Sequence, residues 1–141
     1  MFGDPMEIRP YQVEDEPDVV GLWRKVFGYG APHNDPAFTI RQKLRKEREL
    51  FFVSLEKGQI IGTVMCGYDG HRGWIYLLAV EPGHRGKGVG TALVRHAEAV
   101  LRKLGCPKIN LQVLPDNSRV VEFYRKLGFN VEERISMGKV M

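Results

Sequence analysis

Apolar residues recur along this chain in two rhythms, and the changes from one to the other divide it into elements. Glu7-Ile8-Arg9 reads as a short strand, and Val19, Val20, Trp23, Val26 and Phe27 then recur at helical spacing until Gly28 ends the pattern. Tyr29 to Asn34 is a Gly/Pro turn region, after which Asp35 with Pro36 makes an N-cap and first-turn pair opening a short polar helix to about Arg48. Leu50 to Leu55 and Ile60 to Gly67 are rich in aromatic and β-branched residues, and Glu56-Lys57-Gly58-Gln59 between them is a hairpin signal. Tyr68 to Gly73 is a further turn. Trp74 to Val80 is nearly continuous apolar sequence, the pattern of a strand buried on both faces and central in its sheet.

Beyond Pro82 the sequence becomes glycine-rich, and Val89, Ala92, Leu93, His96, Ala97, Val100, Leu101 and Leu104 then fall on a single helical face. Arg102 and Lys103 suit the negative end of that helix dipole, and Gly105 with Pro107 supplies the stop. Lys108 to Val113 is expected as a strand. Asn117 caps a further helix carrying Val120, Val121, Tyr124 and Leu127, Gly128 ends it, and Phe129 to Met137 reads as a last strand. Read in this order, six strands interleave with four helices, the pattern of a single α/β domain, and the hairpin makes at least one strand pair antiparallel.

Composition narrows the class without naming it. At 141 residues, 27% charged and 43% hydrophobic, the chain matches one ordinary globular domain, expected over residues 6–141 with residues 1–5 as an extension. No apolar run approaches the roughly 20 residues of a membrane helix, and no leader pattern is evident, so the expectation is a cytoplasmic protein without a membrane partner. Cys66 and Cys106 stand far apart without the spacing of a zinc site, which fits a reducing compartment. The net charge of +4 suits an anionic ligand but is too small to imply nucleic acid. Arg41, Lys43, Arg45, Lys46 and Arg48, interrupted by Glu47 and Glu49, read as a solvated helix face.

The segment Leu78 to Thr91 carries the chemistry, because it runs from the buried strand through a glycine loop into the strongest helix. A helix start leaves backbone N–H groups without partners and carries about half a positive charge, so a pyrophosphate binds there without dedicated side chains. Arg85 and Lys87 can add charge. Two better-known phosphate loops are excluded: Lys87 is followed by Gly88 where a nucleoside-triphosphate loop needs Ser or Thr, and Gly86, Gly88 and Gly90 alternate instead of following the dinucleotide spacing.

Arg85, Gly88 and Gly90 fill the Arg/Gln-x-x-Gly-x-Gly/Ala signature of the Gcn5-related N-acetyltransferase (GNAT) family, and the chain resembles that family in two further places. Leu78-Ala79-Val80-Glu81-Pro82 precedes the loop as it does in the family, and Asn117 to Phe129 is similar to the family's second motif, with Tyr124 and Leu127-Gly128-Phe129. The Gly67 to Gly73 turn and Cys106-Pro107-Lys108-Ile109 resemble a small bacterial subgroup, the YpeA-type proteins. The resemblance implies a GNAT-like α/β fold, a mixed, mostly antiparallel sheet of six to seven strands flanked by about four helices and splayed between the strands Trp74–Val80 and Lys108–Val113, and N-acetyl transfer from acetyl-CoA to a primary amine by direct attack in a ternary complex.

Carried over residue by residue, the resemblance implies that the amides of Arg85, Gly86, Lys87, Gly88, Val89 and Gly90, with Thr91, hold the pyrophosphate, and that Val80 pairs with the pantetheine arm. The strand before the loop is bulged in the family, which places the amide of Leu78 against the thioester oxygen, an oxyanion-hole role. Tyr124 aligns with the acid that protonates the departing thiolate, since a phenol of pKa about 10 is protonated at neutral pH. Asn117 is expected to bond the pantetheine arm, and equally serves as an N-cap with no ligand at all. No metal is expected.

The general base is the gap. An acceptor lysine has a pKa of about 10.4 and must lose a proton before it attacks, yet Trp74 and Gln112 occupy positions where relatives keep a glutamate. The expectation is proton loss through ordered water near Tyr76, Asn110 and Gln112, or an α-amine acceptor of lower pKa. His33, His71, His84 and His96 show no metal-ligand spacing; His96 reads as core, while His71 and Asp69 are loop residues with a secondary claim to the base. The acceptor pocket is expected from the first two helices, the Tyr68–Gly73 turn and the last strand. A non-catalytic acyl-CoA sensor is the alternative, and a nucleic-acid-binding domain using the Arg41–Arg48 helix is a third reading. Whether the acceptor is a small molecule or a protein amine, and whether the chain forms a homodimer, stay open on sequence alone.

Overall fold

The computed structural model describes residues 6–28 and 30–141. The extension over residues 1–5 and the first position of the Gly/Pro turn, Tyr29, lie outside the described residues. Two compact units make up the chain, the first ending at Leu111 and the second spanning Gln112–Met141.

Within the first unit β1 (Glu7–Pro10), β2 (Phe51–Glu56), β3 (Gln59–Tyr68), β4 (Gly73–Val80) and β5 (Ile109–Asn110) pair in chain order into one five-stranded sheet. The first four strands run antiparallel and β5 is parallel to β4. The β2–β3 hairpin turns on Lys57 and Gly58, both at positive φ (53° and 76°), the primed-turn geometry that matches strand twist. Helices α1 (Glu16–Phe27) and α2 (Pro36–Glu47) lie between β1 and β2, and α3 (Val89–Lys103) between β4 and β5.

Strand alternation sends two residue sets to opposite faces. Phe51, Val53, Leu55, Met65 and Ala79 form one core with Val19, Leu22 and Trp23 of α1 and Ile40 of α2. On the other face Phe52 meets the His96 ring edge-on at 4.5 Å, and a Cβ at Gly62 would stand 2.9 Å from Leu93 of α3, so Gly62 is what lets that helix settle onto the sheet. Caps follow the sequence: Asp35 accepts the Phe38 N–H at 3.1 Å, and Gly28, at φ 74°, ends α1 with its N–H on Arg24 O. No helix among the described residues is long and apolar enough to cross a membrane.

The strand count is a correction. Lys108 to Val113 pairs only at Gly73↔Ile109 and Trp74↔Asn110, so β4 runs on to Val80 well past the end of β5. That short pairing is possible because Gly73 has no side chain: a Cβ there would meet Cys106 Sγ at 2.6 Å. Phe129 to Met137 forms no strand. Its apolar residues Val131, Ile135 and Met137 are 66%, 90% and 90% exposed, so extended structure there buries no face that would reward it.

The second unit holds α4 (Ser118–Lys126), opened by Asn117, whose side chain accepts the Val120 N–H at 3.4 Å. Gly128, at φ 100°, closes it, and the Phe129 N–H returns to Tyr124 O. Tyr124 packs edge-on against Phe123 and Phe129, with centroids 5.0 and 5.6 Å away.

Candidate active site

Between Thr63 and Met65 the β3–β4 ladder breaks register: Thr63 faces Ala79 while Met65 faces Tyr76, so Val64 stands against both Leu77 and Leu78. This is a β-bulge, and Leu77 takes φ 50°, a left-handed conformation that costs a non-glycine residue about 1–2 kcal/mol. The displaced peptide is tied down from the α1 side. Trp23 Nε1–H donates to Thr63 Oγ1 at 2.8 Å, and the Thr63 hydroxyl donates to Leu77 O at 3.0 Å.

After Val80 the chain turns through Pro82–His84 and enters α3 by way of Gly86 (φ 78°) and Gly88 (φ 85°). The ladder of α3 opens with Ala92 N–H on Gly88 O, which leaves the amides of Val89, Gly90 and Thr91 at the helix mouth. Arg85 and Lys87 are exposed beside it. Glu81 anchors the loop by accepting Gly83 N–H at 2.7 Å and lying 3.2 Å from His84 Nδ1 and 3.3 Å from Lys25 Nζ. The His84 contact, then the Gly83 amide, hold its carboxyl below the usual range.

On the α1/α2 face of the sheet lies a cavity of about 670 Å³, lined among others by Trp23, Phe27 and Phe38, by Lys43 and Glu47 of α2, and by Tyr76 and Leu77 of β4. Its polar wall is organised by Lys43, whose buried ammonium donates to Glu47 Oε1 at 3.2 Å, Tyr76 Oη at 2.6 Å and Cys66 O. An ammonium has three N–H donors, so all are satisfied. Glu47 approaches because position 67 is glycine: a Cβ there would lie 2.9 Å from Glu47 Oε1.

The structure therefore brings together Leu78, Val80 and the Arg85 to Thr91 loop as consecutive parts of one bulged strand, turn and helix start. Asn117 is an N-cap, as above. Tyr124 is buried, and burial pushes its phenol up to about 12. Gln112 donates to Ser136 Oγ at 2.7 Å. Asp69 and His71 serve their turn, since Asp69 Oδ1 accepts the His71 and Arg72 amides, each at 2.7 Å. His96 is half-buried against Phe52, and burial lowers its pKa. Among the described residues no group of three or more His, Cys, Asp or Glu could hold a metal.

The reading of Lys43 as part of a solvated face is overturned: it is 5% exposed. Glu47 was read with that same face and given no role, and Thr63 was missed altogether. Ile40 and Leu44 mark the inner stripe of α2, and Lys43 and Glu47 each follow one of them by three positions, so the helical period held the signal.

The chain belongs to the acetyltransferase (GNAT) family, whose sequence profile matches residues 10–129, and it is an acyltransferase of that type. An acetyltransferase of Yersinia pestis (strain Pestoides F) is 43% identical over 134 residues, 95% of this chain and 94% of that protein. Ard1 from Thermoplasma volcanium is similar in structure, with a TM-score of 0.80 at 26% identity over 90% of this chain and 84% of its own. The PaiA N-acetyltransferase from Thermoplasma acidophilum, solved in complex with coenzyme A, reaches a TM-score of 0.80 at 22% identity over 93% of each chain, a likeness of fold.

Proposed function

We propose that this chain transfers the acetyl group of acetyl-CoA directly to a primary amine seated in the cavity beside β4. The observation that carries the reading is the bulge at Leu77–Leu78 running straight into a helix mouth with glycines at positive φ. Such a mouth offers main-chain donors and a positive dipole to a diphosphate, with Arg85 and Lys87 adding charge. The cofactor's arm then follows Val80, which sets its thioester beside the Leu78 amide. As the amine attacks, the carbonyl oxygen gains negative charge, and that N–H stabilises it; losing one such donor typically costs roughly 100- to 1000-fold in rate.

The proton of the acceptor nitrogen leaves into the cavity, where Glu47 supplies the carboxylate that neither Trp74 nor Gln112 offers. Tyr124 is the proposed acid for the departing thiolate, its phenol kept protonated by burial. Asn117 is the proposed partner of the pantetheine arm.

Thiol release from acetyl-CoA, measured across a panel of amines, tests the reading. Amine-dependent release supports it, and Tyr124→Phe should then lower kcat while leaving acetyl-CoA affinity in place. Stoichiometric acetyl-CoA binding with no thiol released by any amine would instead select a sensor.

A further inference from the structure

We propose that Thr63 and Trp23 are positioning residues for the Leu78 amide, acting through a buried hydrogen-bond chain that fixes the orientation of the Leu77–Leu78 peptide. The proposal rests on the oxyanion role given to that amide above.

The direction of the chain is set by donor inventory. An indole N–H only donates, so at 2.8 Å it occupies a lone pair of Thr63 Oγ1 and cannot receive the hydroxyl proton. That proton goes to Leu77 O, 3.0 Å away. Thr63 is fully buried and Trp23 is 2% exposed, so water does not compete for the indole bond, and the hydroxyl that donates to the part-buried Leu77 O is itself shielded.

Leu77 O and the Leu78 N–H belong to one planar trans peptide and point in opposite directions. Holding the carbonyl toward Thr63 therefore turns the N–H away from it. In a regular strand the ladder itself would aim this peptide; at a bulge the ladder is interrupted, and Leu77 adopts φ 50° against its preference. A peptide in that position needs another anchor, and the hydroxyl supplies it. Trp23 adds a further link, because it also lines the acceptor cavity and so joins the cavity wall to the peptide that meets the thioester.

Thr63→Val keeps the shape of the side chain and removes both bonds. The expected result is a 10- to 100-fold fall in kcat, part of the loss typical for a whole oxyanion donor, with the dissociation constant for acetyl-CoA within about two-fold of wild type by calorimetry. Thr63→Ser retains the hydroxyl and should recover kcat to within a few-fold, a rescue that mere packing would not give. Trp23→Phe leaves the hydroxyl but lets it rotate, and should lower kcat at saturating amine by about three- to ten-fold. Should Thr63→Val fail to fold, Trp23→Phe decides: unchanged kcat in a folded protein overturns the proposal, as does unchanged kcat in folded Thr63→Val. If wild type acetylates no amine, the parent reading fails in that arm; if wild type and Thr63→Val turn over alike, only the positioning role does.

Discussion

Lys43 Nζ stands 2.6 Å from Tyr76 Oη, a buried lysine on α2 reaching across the cavity to a phenol on β4. Its other donors go to Cys66 O and Glu47, so one cation ties α2 to both β3 and β4. Lys43→Met fills the same space but leaves Glu47 without its cation and two oxygens without their donor. Breaking a buried pair costs about 3–5 kcal/mol, and because the Glu47 side chain keeps 22% exposure the loss here should be about 1–3 kcal/mol in urea unfolding. Lys43→Met/Glu47→Gln should recover part of it, since no lone charge remains. Equal stability of wild type and Lys43→Met would mean the pair contributes nothing.

That pair marks where sequence reasoning ran out. The hairpin at Lys57-Gly58, the helix through Val89 and Leu101, and the glycine loop were legible because each depends on local chemistry: positive φ, a 3.6 period, open helix-end donors. The extent of β5 was not, because Ile109, Leu111 and Val113 alternate like a strand whether or not a neighbour offers a ladder. Lys43 was misplaced for a related reason: a charge on an amphipathic helix reads as solvated unless its partners, here contributed by distant strands, are known. The bulge leaves no trace in Leu77-Leu78 as residues. It was expected only from the family resemblance, and the register shows it.

Ser54 Oγ is buried with no hydrogen-bond partner among the described residues, although its strand β2 is an interior strand of the sheet. An unpartnered buried hydroxyl costs on the order of 1–3 kcal/mol, so Ser54→Ala should raise stability by about 1 kcal/mol, visible as a higher urea midpoint at unchanged slope. Gly62→Ala beside it should do the opposite: the added methyl would lie 2.6 Å from Ser54 Oγ and 3.1 Å from Ala79 O, and the backbone oxygen cannot give way. A drop in midpoint for Ser54→Ala would point to a bound partner at that hydroxyl.

Gly88 holds φ 85° with open space around its missing Cβ, so substitution acts on the backbone and not through a clash. Gly88→Val should cost about 1–2 kcal/mol of stability and weaken acetyl-CoA binding at least ten-fold, because a residue that leaves the left-handed region turns the helix-mouth amides. Gly88→Asn, which tolerates that region, should lose much less of both. Calorimetric titration with acetyl-CoA distinguishes them, and equal affinities for the two variants would show that the conformation at position 88 does not organise the site.

Burial raises Tyr124 and Tyr11 to about 12 from the usual 10, and Cys66 to about 12 from 9. In each case the neutral form is favoured in the folded state, so the unfolded chain loses its proton first. The folded protein then holds more protons than the unfolded one, and stability must fall as pH rises: from about 9 through Cys66, and between about 10 and 12 through the tyrosines. Two pH units of separation correspond to about 2–3 kcal/mol for a fully shifted group, which sets the scale for Tyr124. Urea midpoints measured from pH 7 to 11.5 should decline along this course in wild type. Tyr124→Phe removes one titrating group and should flatten the decline above pH 10, with delayed phenolate absorbance in the folded protein as the independent check. A variant whose midpoint falls as steeply as wild type would show that Tyr124 ionises as easily folded as unfolded, and a phenol that accessible would not be held protonated by its surroundings.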